Sequence, residues 1–507
     1  MKKKYFGLMA TVLTATQLTA QTNKFINKLD DYIESVRLQY DVPGMAVAIV
    51  KNGQVVHAKG YGFTDTTKKE KVTAETLFFV ASNTKLFTGT ALAWLDVQKK
   101  ISLDDKITKY YPKFRLYDSA ATQLVTVRDM LTHRLGTKTF QGDFTFFDGN
   151  LSRQEIMYRM RLMKPSTPFR QNFGYCNSCY LTAGEIIPAA TGIPWEVFVY
   201  DSILQPLGMK NTQVLSKNAD QFPHIAKPYT TACDGSLQQV PYDEWDNLAP
   251  AASIVSNVSE MANWLQCQID SGKWQGKQVI PWRAIQKTRD VVTILRSRKI
   301  TDPVSHFMGY GLGAFVQDYD GKTYIHHTGG ASGMVSSVGI LPEEKLGVVI
   351  LTNQDNQGLF VSLTEDIIDS YLHPDKTPNK SVEGVADYIA TKKKTKDDIA
   401  ALQKRIHAQP NPRNIKEYEG AYIHPLYGIM TMKPQGNDVL LTFKSHKNLT
   451  ATLQYMSDGE WLLSYSNPVM GIHAVKFLKD ELNDKTIGIK VADFIEYDVY
   501  EFKKYYE

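Results

Sequence analysis

The sequence has little cysteine and lacks several common hydrolase and nucleotide-binding signatures. Four cysteines in 507 residues exclude a disulfide-stapled small scaffold. The metal-site pattern H-E-x-x-H, the nucleophile pattern G-x-S-x-G and the phosphate-binding pattern G-x-x-x-x-G-K-[ST] are all missing. We therefore expect neither a metal nor another cofactor. With 43% hydrophobic and 22% charged residues, the composition also excludes a collagen-like or disordered chain.

The N-terminus has the layout of a secretory signal peptide. Three lysines at positions 2–4 precede the mostly apolar segment Tyr5–Leu13, and a small, polar stretch ends at Ala20. The apolar segment is shorter than the ~20 residues that span a bilayer, and no later run reaches 18 apolar residues. The sequence thus predicts a signal peptide over residues 1–20, no transmembrane segment in the mature chain, and an exported protein that is periplasmic or secreted.

Removal of this peptide also removes most of the basic excess. The formal net charge falls from +5 to +2 when the three N-terminal lysines are cut away. A second basic run, Lys392–Lys396, is more typical of a solvated linker than of a nucleic-acid site. We expect no nucleic-acid partner, and the sequence leaves the oligomeric state open.

The distribution of strand and helix signals predicts an α+β fold for residues 21–375. Two apolar runs around Asn52-Gly53 indicate a hairpin, since this dipeptide favours a type I′ turn. Residues 80–300 are mainly helical or irregular in pattern, and strand signals return at the end of the domain. This order predicts one antiparallel sheet flanked by helices, plus a helical lobe. The late strands are predicted at Gly311–Gln317, Thr323–His327, Met334–Leu341 and Leu346–Leu351.

The C-terminal part has a different pattern. Prolines, lysines and a short helical segment predict a linker over residues 376–412. Short strands separated by turns then predict a small all-β domain over residues 413–507, in which no catalytic constellation is evident.

The segment Ser82-Asn83-Thr84-Lys85 carries the first candidate chemistry. It opens a helical pattern, and positions three apart share a helix face, so the Lys85 amine can reach the Ser82 hydroxyl. A serine needs a neighbouring base to become a nucleophile, and an amine can act as that base if desolvation or positive potential lowers its pKa. Alone, the pattern also fits an N-cap serine beside a solvated lysine.

Two further segments supply possible partners. Tyr175 and Asn177 lie two residues apart: a nearby cation could lower the pKa of the tyrosine, and the amide could bind a substrate. Later in the chain, His327 ends a predicted strand, and Thr328-Gly329-Gly330 come directly after it. Glycines at this position leave backbone N–H groups open to an oxyanion. His327 could form a polar or cationic wall. Taken alone, each segment fits ordinary packing better than a functional role.

Together and in this order, the three segments resemble the serine β-lactamase and penicillin-binding protein superfamily. The chain is most similar to the class C β-lactamase-like branch, which includes peptidases, esterases and acyltransferases. The resemblance covers roughly residues 25–370 and implies a β-lactamase/transpeptidase-like fold. Supporting matches are Val127–His133, Pro206–Thr212 and Ser256–Ala262.

The resemblance also implies a role for each matched residue. Ser82 would be the acylated nucleophile, Lys85 its partner base, and Tyr175 would share the acid and base work. Asn177 would orient the acyl side of the substrate. His327 would occupy the wall position, and Thr328 and Gly329 would lie with it among the substrate and oxyanion residues. The oxyanion would bind the backbone N–H groups of Ser82 and Gly330.

The chain departs from the family pattern in three places. His327 replaces the lysine typical of efficient β-lactamases, a form frequent among esterase and peptidase members. Arg134-Leu135-Gly136 stands where Thr-Ser-Gly is common, which changes that loop. Pro250-Ala251-Ala252-Ser253 stands where many members have Ala-Gly-Gly, which predicts a narrower pocket rim.

Cys176 and Cys179 bracket the candidate site residue Asn177. A disulfide between them is conceivable in an exported protein, but we favour two small, buried apolar side chains. A zinc site is disfavoured because a second ligand pair at suitable spacing is not evident.

These patterns predict an exported serine hydrolase that forms an acyl-enzyme on a small-molecule ester, amide or peptide, as an esterase, a D-amino-acid peptidase or a β-lactamase-like enzyme. An alcohol or amine acceptor in place of water would make the protein an acyltransferase. A third hypothesis, from another class, is a non-catalytic protein that binds peptidoglycan fragments or another ligand.

Overall fold

The structure is a computed structural model that describes residues 28–296, 305–374, 376–406, 414–457, 459–492 and 499–506. The predicted signal peptide, residues 1–20, lies outside the described residues, as does the end of the predicted linker. Within the described residues, none of the helices combines the length and apolar character needed to cross a membrane.

A nine-stranded antiparallel sheet forms the centre of the larger part of the molecule. Its strands come from the two ends of that part, as the sequence predicts. In spatial order they are Thr293–Arg296, Met308–Tyr310, Phe315–Tyr319, Lys322–Ala331, Met334–Leu341, Leu346–Thr352, Gly44–Lys51, Gln54–Asp65 and Glu70–Lys71.

Strand Gly44–Lys51 illustrates how the sheet is covered. It pairs on one side with the hairpin strand Gln54–Asp65 and on the other with Leu346–Thr352, about 300 positions later in the chain. Alternate side chains belong to two hydrophobic clusters, because successive residues of a strand point to opposite faces. One face packs with helix Val258–Ile269, and the other with helices 28–39 and Leu359–Leu372. The centre of the sheet is therefore buried on both faces.

The predicted hairpin turn at Asn52-Gly53 is confirmed. Both residues have positive φ, 52° and 77°, as a type I′ turn requires. Lys51 and Gln54 pair across it.

A helical lobe packs beside the sheet and is inserted between its early and late strands. Its longest helices are Thr84–Val97 and Asn177–Thr191, both almost entirely buried. The shorter helices are Ile107–Tyr110, Ser119–Leu124, Val127–Leu131, Arg153–Arg159, Trp195–Val199, Ala249–Ala252 and Trp282–Arg289. The fold is thus β-lactamase/transpeptidase-like, as predicted.

A 24-residue helix, Lys380–Gln403, occupies most of the range in which the sequence predicts a linker. It packs against helix Leu359–Leu372. Lys393 and Lys394 of the basic run form ion pairs with Asp397 and Asp398, one helical turn later. The run is therefore the solvent face of a helix, and the domain boundaries themselves stay a prediction.

The C-terminal part is a closed eight-stranded antiparallel barrel. The all-β character predicted from the sequence is confirmed, and the barrel closes because its last strand, Val499–Lys504, pairs back onto its first, Gly420–His424. Barrel and lobe side chains belong to one continuous hydrophobic cluster. The barrel strands are Gly420–His424, Gly428–Gln435, Asp438–Phe443, His446–Tyr455, Glu460–Tyr465, Ile472–Lys479, Thr486–Ala492 and Val499–Lys504.

The predicted C-terminal boundary of one sheet strand is wrong. The prediction ends this strand at His327, but the strand Lys322–Ala331 continues through both glycines. Gly329 pairs with Ser336, and a Cβ on Gly329 would lie only 2.1 Å from the carbonyl oxygen of Val80. The glycine therefore serves close packing against the segment before Ser82, rather than ending the strand.

This packing can be tested with neighbouring alanine substitutions. We expect Gly329→Ala to lower the free energy of unfolding by about 1–3 kcal/mol, because the backbone of Val80 has to move. Gly330→Ala is the matched control, since a Cβ there meets nothing within 4 Å. Chemical denaturation measures both, and equal stability of the two variants would contradict the close approach.

Candidate active site

Ser82 lies in a short 3₁₀ turn, Ala81–Asn83, directly before helix Thr84–Val97. Ala81 has a φ of 50°, in the left-handed region that L-residues seldom adopt. Such backbone conformations cluster at functional sites. The turn places Ser82 at the N-terminal end of a buried helix, where the helix dipole favours a developing negative charge.

The turn is fixed to the central sheet through one serine. Ser336 donates its hydroxyl to the carbonyl oxygen of Val80 at 2.8 Å. The Asn83 side-chain amide in turn donates to Ser336 Oγ at 2.8 Å. Ser82 is therefore bracketed by two contacts to the same sheet residue.

Lys85 faces Ser82 one helical turn along, as the sequence predicts. Its Nζ lies 2.9 Å from Ser82 Oγ, 2.8 Å from Asn177 Oδ1 and 2.9 Å from the carbonyl oxygen of Ala251. The side chain is fully buried, and this desolvation lowers the pKa of Lys85 to about 7, against the opposing charge of Asp143. The amine is thus poised to exchange a proton near neutral pH.

Asn177 is oriented by a residue that the sequence did not single out. Its side-chain Nδ2 donates to Asp143 Oδ2 at 2.8 Å, which leaves Oδ1 to accept from Lys85. Because a carboxylate only accepts, Asp143 fixes which end of the amide faces the lysine. Asp143 is buried and belongs to no recognisable motif, so only the fold could reveal it.

The expectation that a cation lowers the pKa of Tyr175 is wrong. Burial raises the pKa of Tyr175 well above 10, and a hydrogen bond with Ser82 offsets only part of that rise. Lys85 Nζ lies 4.8 Å from the ring centroid of Tyr175. The charge of Lys85 therefore faces the aromatic ring, and Tyr175 is a neutral phenol beside Ser82.

His327 is also neutral, so it forms a polar rather than a cationic wall. Burial and the nearby Lys85 lower the pKa of His327 to about 3. Its Nδ1 lies 2.6 Å from the carbonyl oxygen of Thr328 and donates to it, so Nε2 accepts from the Tyr310 hydroxyl at 3.1 Å. Because the ring is neutral, His327 has no positive charge to offer a substrate carboxylate.

All eight sequence-predicted site residues come together. Ser82, Tyr175 and Asn177 line one cavity of about 610 Å³ with His327, Thr328 and Gly330. Lys85 lies behind Ser82, and Gly329 packs against the segment that precedes Ser82.

The cavity wall is mainly aromatic, with a polar patch at one side. Such a lining favours substrates that carry an apolar or aromatic group. The aromatic residues are Phe140, Phe146, Phe147, Phe173, Tyr175, Trp245 and Phe315, and the polar patch contains Ser332, Asp355 and Asn356.

His133 supports the site from behind. Its ring stacks on Tyr175 with the two centroids 4.3 Å apart, and its Nδ1 accepts from the backbone N–H of Cys176 at 3.0 Å. The sequence marks His133 only as part of a family match. Its contacts indicate that it orients the segment that carries Tyr175.

The two segments that depart from the family pattern, a loop at residues 134–136 and the short helix Ala249–Ala252, both make contacts within the site or the lobe. Arg134 pairs with the buried carboxylate of Asp129 at 2.6 Å, and Arg170 pairs with the same carboxylate at 2.7 Å. In the short helix, Ala251 supplies the carbonyl oxygen bound by Lys85, and Ala252 lines the cavity.

The comparison with protein families places the chain. The family model described as Beta-lactamase matches residues 22–371, which is well over half of the sequence. The chain belongs to the beta-lactamase family. This is a superfamily of serine hydrolases, in agreement with the resemblance drawn from the sequence motifs.

Curated proteins similar to this beta-lactamase-family chain come from Staphylococcus aureus and Aspergillus campestris. Protein flp of Staphylococcus aureus (strain MRSA252) is 26% identical over 343 residues, which are 66% of this chain and 64% of that protein. The chain therefore spans slightly less than two thirds of Protein flp. Unguisins hydrolase ungD' of Aspergillus campestris (strain IBT 28561) is 26% identical over 445 residues, or 79% of this chain and 77% of that protein.

Solved structures share the fold along almost the whole chain. The octameric penicillin-binding protein homologue from Pyrococcus abyssi has a TM-score of 0.61 and 21% identity, and the match covers 94% of this chain and 100% of that one. SurE has a TM-score of 0.57 and 16% identity, with 95% and 99% covered. At these identities the likeness shows the fold alone.

The cysteines of this beta-lactamase-family chain are free thiols. Cys176 and Cys179 are both fully buried, which confirms the interpretation as small apolar side chains. Burial raises the pKa of Cys179 well above 9 and that of Cys267 to about 12. Cys233 alone of the four is partly exposed.

This difference predicts the thiol reactivity of the protein. We expect an aromatic disulfide reagent to modify rapidly at most one thiol of the native protein, at Cys233, and four thiols in denaturant. Absorbance of the released thiolate gives the count, and Cys233→Ser should abolish the native reaction. Fewer than four reactive thiols in denaturant without reductant would contradict the free state.

Proposed function

We propose that this protein is an exported serine hydrolase that cleaves an ester or amide through a covalent acyl intermediate on Ser82. This proposal rests mainly on the distance of 2.9 Å between Lys85 Nζ and Ser82 Oγ, in a site where burial lowers the pKa of the lysine to about 7. A neutral amine at this distance can accept the serine proton. Export rests on the N-terminal sequence pattern.

In the proposed reaction, neutral Lys85 takes the Ser82 proton as Oγ attacks the substrate carbonyl carbon. The backbone N–H groups of Ser82 and Gly330 stabilise the oxyanion. The Tyr175 phenol, beside Ser82, relays a proton to the departing alcohol or amine as the ester or amide bond breaks. Water then attacks the acyl carbon and gives a proton to Lys85, the bond between the acyl carbon and Ser82 Oγ breaks to release the acid, and the proton passes from Lys85 back to Oγ.

The aromatic wall of the cavity supports a substrate with an apolar acyl or leaving group. Its neutral His327 argues for esters and amides without an obligatory carboxylate beside the scissile bond. Transfer of the acyl group to an alcohol or amine would share the first half of this reaction, so added acceptors belong in the assay. The relative named as a hydrolase of unguisins supports hydrolysis over silent binding.

The nucleophile can be tested by substitution. We expect Ser82→Ala to lose covalent labelling by a fluorophosphonate and at least about a thousandfold in hydrolysis of p-nitrophenyl esters, because this variant lacks the proposed nucleophile. Intact-protein mass spectrometry and absorbance measure the two effects.

Ser178→Ala is the matched control for this substitution. Ser178 lies beside Asn177, and its buried hydroxyl makes no hydrogen bond to the described residues. This variant should keep labelling and turnover. A wild-type protein that reacts with neither fluorophosphonates nor penicillins nor esters would contradict the proposed function and favour a binding protein.

The protonation state of Lys85 predicts the pH dependence. Only the neutral amine accepts a proton, so kcat/KM should rise with a one-proton slope around pH 7 and then level off. Tyr175 and His327 add no further step there, because burial moves the pKa of Tyr175 above 10 and that of His327 to about 3. Initial rates across pH values from about 5.5 to 9 check this; a flat profile would contradict it.

A further inference from the structure

The segment of residues 140–150, here called the Asp143 arm, lies between the cavity and the C-terminal barrel. On one side, Phe140, Phe146 and Phe147 line the cavity. On the other side, the arm contacts barrel residues. Its only regular structure is the three-residue 3₁₀ turn Asp143–Thr145, so its position depends on what it packs against.

Phe144 anchors the arm to the barrel. Its side chain is 2% exposed and its ring stacks on His446, with centroids 4.1 Å apart. Three more barrel rings, Phe443, Tyr500 and Tyr427, have centroids 5.5, 5.6 and 5.7 Å away. The catalytic part thus inserts one aromatic side chain into an aromatic socket of the barrel.

Polar contacts hold the arm on the same surface. Burial lowers the pKa of His446 to about 4, and its neutral ring donates from Nδ1 to the carbonyl oxygen of Phe147 at 2.8 Å. The Asn467 amide donates to Asp148 Oδ2 at 2.8 Å. Two residues further along this barrel turn, Val469 reaches the cavity itself.

The residue next to Phe144 belongs to the hydrogen-bonded chain of the site. Asp143 Oδ2 accepts from Asn177, Asn177 Oδ1 accepts from Lys85, and Lys85 reaches Ser82. We propose that the barrel is a positioning component of the active site: Phe144, held in the barrel socket, keeps Asp143 against the Asn177 amide. This inference rests on the proposed function and adds a role for the C-terminal part.

Removal of the anchor should impair catalysis more than substrate binding. In Phe144→Ala, the arm loses its packing and the Asn177 amide loses the partner that fixes its orientation. We expect kcat for ester hydrolysis to fall on the order of a hundredfold, with a smaller change in KM, because misplaced catalytic groups cost this much. Phe144→Leu, which keeps an apolar anchor, should recover most of the loss.

The double variant separates positioning from general damage. If Phe144 acts through Asp143, Phe144→Ala should add little to the effect of Asp143→Ala, since residues in one network are not additive. Phe477→Ala is the control within the barrel: its ring packs on Tyr418 and Trp461 instead of on the arm. It should lower the melting temperature and leave kcat near the wild-type value.

A readout independent of turnover is the titration of Lys85, followed by NMR of ¹³Cε-labelled lysine in the full chain. The Asp143 carboxylate raises the pKa of this buried amine, so the midpoint should fall in Asp143→Ala and in Phe144→Ala. The other titratable groups that face Lys85 are retained in both variants: Tyr175, Cys176, Tyr180, His133 and His327.

The outcomes are distinct. A lower Lys85 midpoint in Phe144→Ala, an unchanged one in Phe477→Ala and a non-additive double variant support the positioning role. A Phe144→Ala protein that is only less stable, with the wild-type Lys85 midpoint, overturns it. If the wild-type protein lacks Ser82 reactivity, the proposed function fails, and the NMR titration still decides whether the barrel positions Asp143.

Discussion

The burial of a single lysine amine is the constraint on which the site depends. An isolated ammonium in an apolar interior is very costly, so its neighbours have to supply acceptors and hold them in place. Lys85 receives three oxygens from three separate elements: the Ser82 turn, the helix that begins at Asn177 and the Ala251 segment. The same burial that makes the amine costly also lowers its pKa to about 7. The stability of the buried amine and its reactivity as a base therefore depend on the same surroundings.

The scaffold meets this constraint by fixing each acceptor independently. Ser336 of the central sheet holds both sides of the Ser82 turn, and Asp143 sets the orientation of the Asn177 amide. Asp143 depends in turn on an arm whose neighbouring side chain, Phe144, is buried among barrel rings. The site is thus assembled from the sheet, the helical lobe and the barrel, and their side chains share one hydrophobic cluster.

The sequence predicted the parts of this site that follow from local spacing and missed those that follow from tertiary packing. The Ser82–Lys85 pair is set by the helical repeat, and the Asn52-Gly53 turn by backbone preference, so both were accessible. Asp143 sits in an irregular loop with no pattern to distinguish it. The sequence indicates the wrong direction for the pKa of Tyr175, because it shows a nearby cation and does not show that the side chain is completely buried. The sequence ends this strand too early, at His327, because a glycine that permits close packing cannot be distinguished in the sequence from one that ends a strand.

The strand order of the central sheet has a consequence for folding during synthesis of the chain. Strand Gly44–Lys51 lies inside the sheet, but its partner Leu346–Thr352 appears about 300 residues later. Until that segment leaves the ribosome, one edge of an almost wholly apolar strand has no pairing partner from the native sheet. Contacts between residues so far apart in the sequence also form slowly. A growing chain is therefore exposed to wrong strand pairing over most of its synthesis, and this topology favours early protection of that edge.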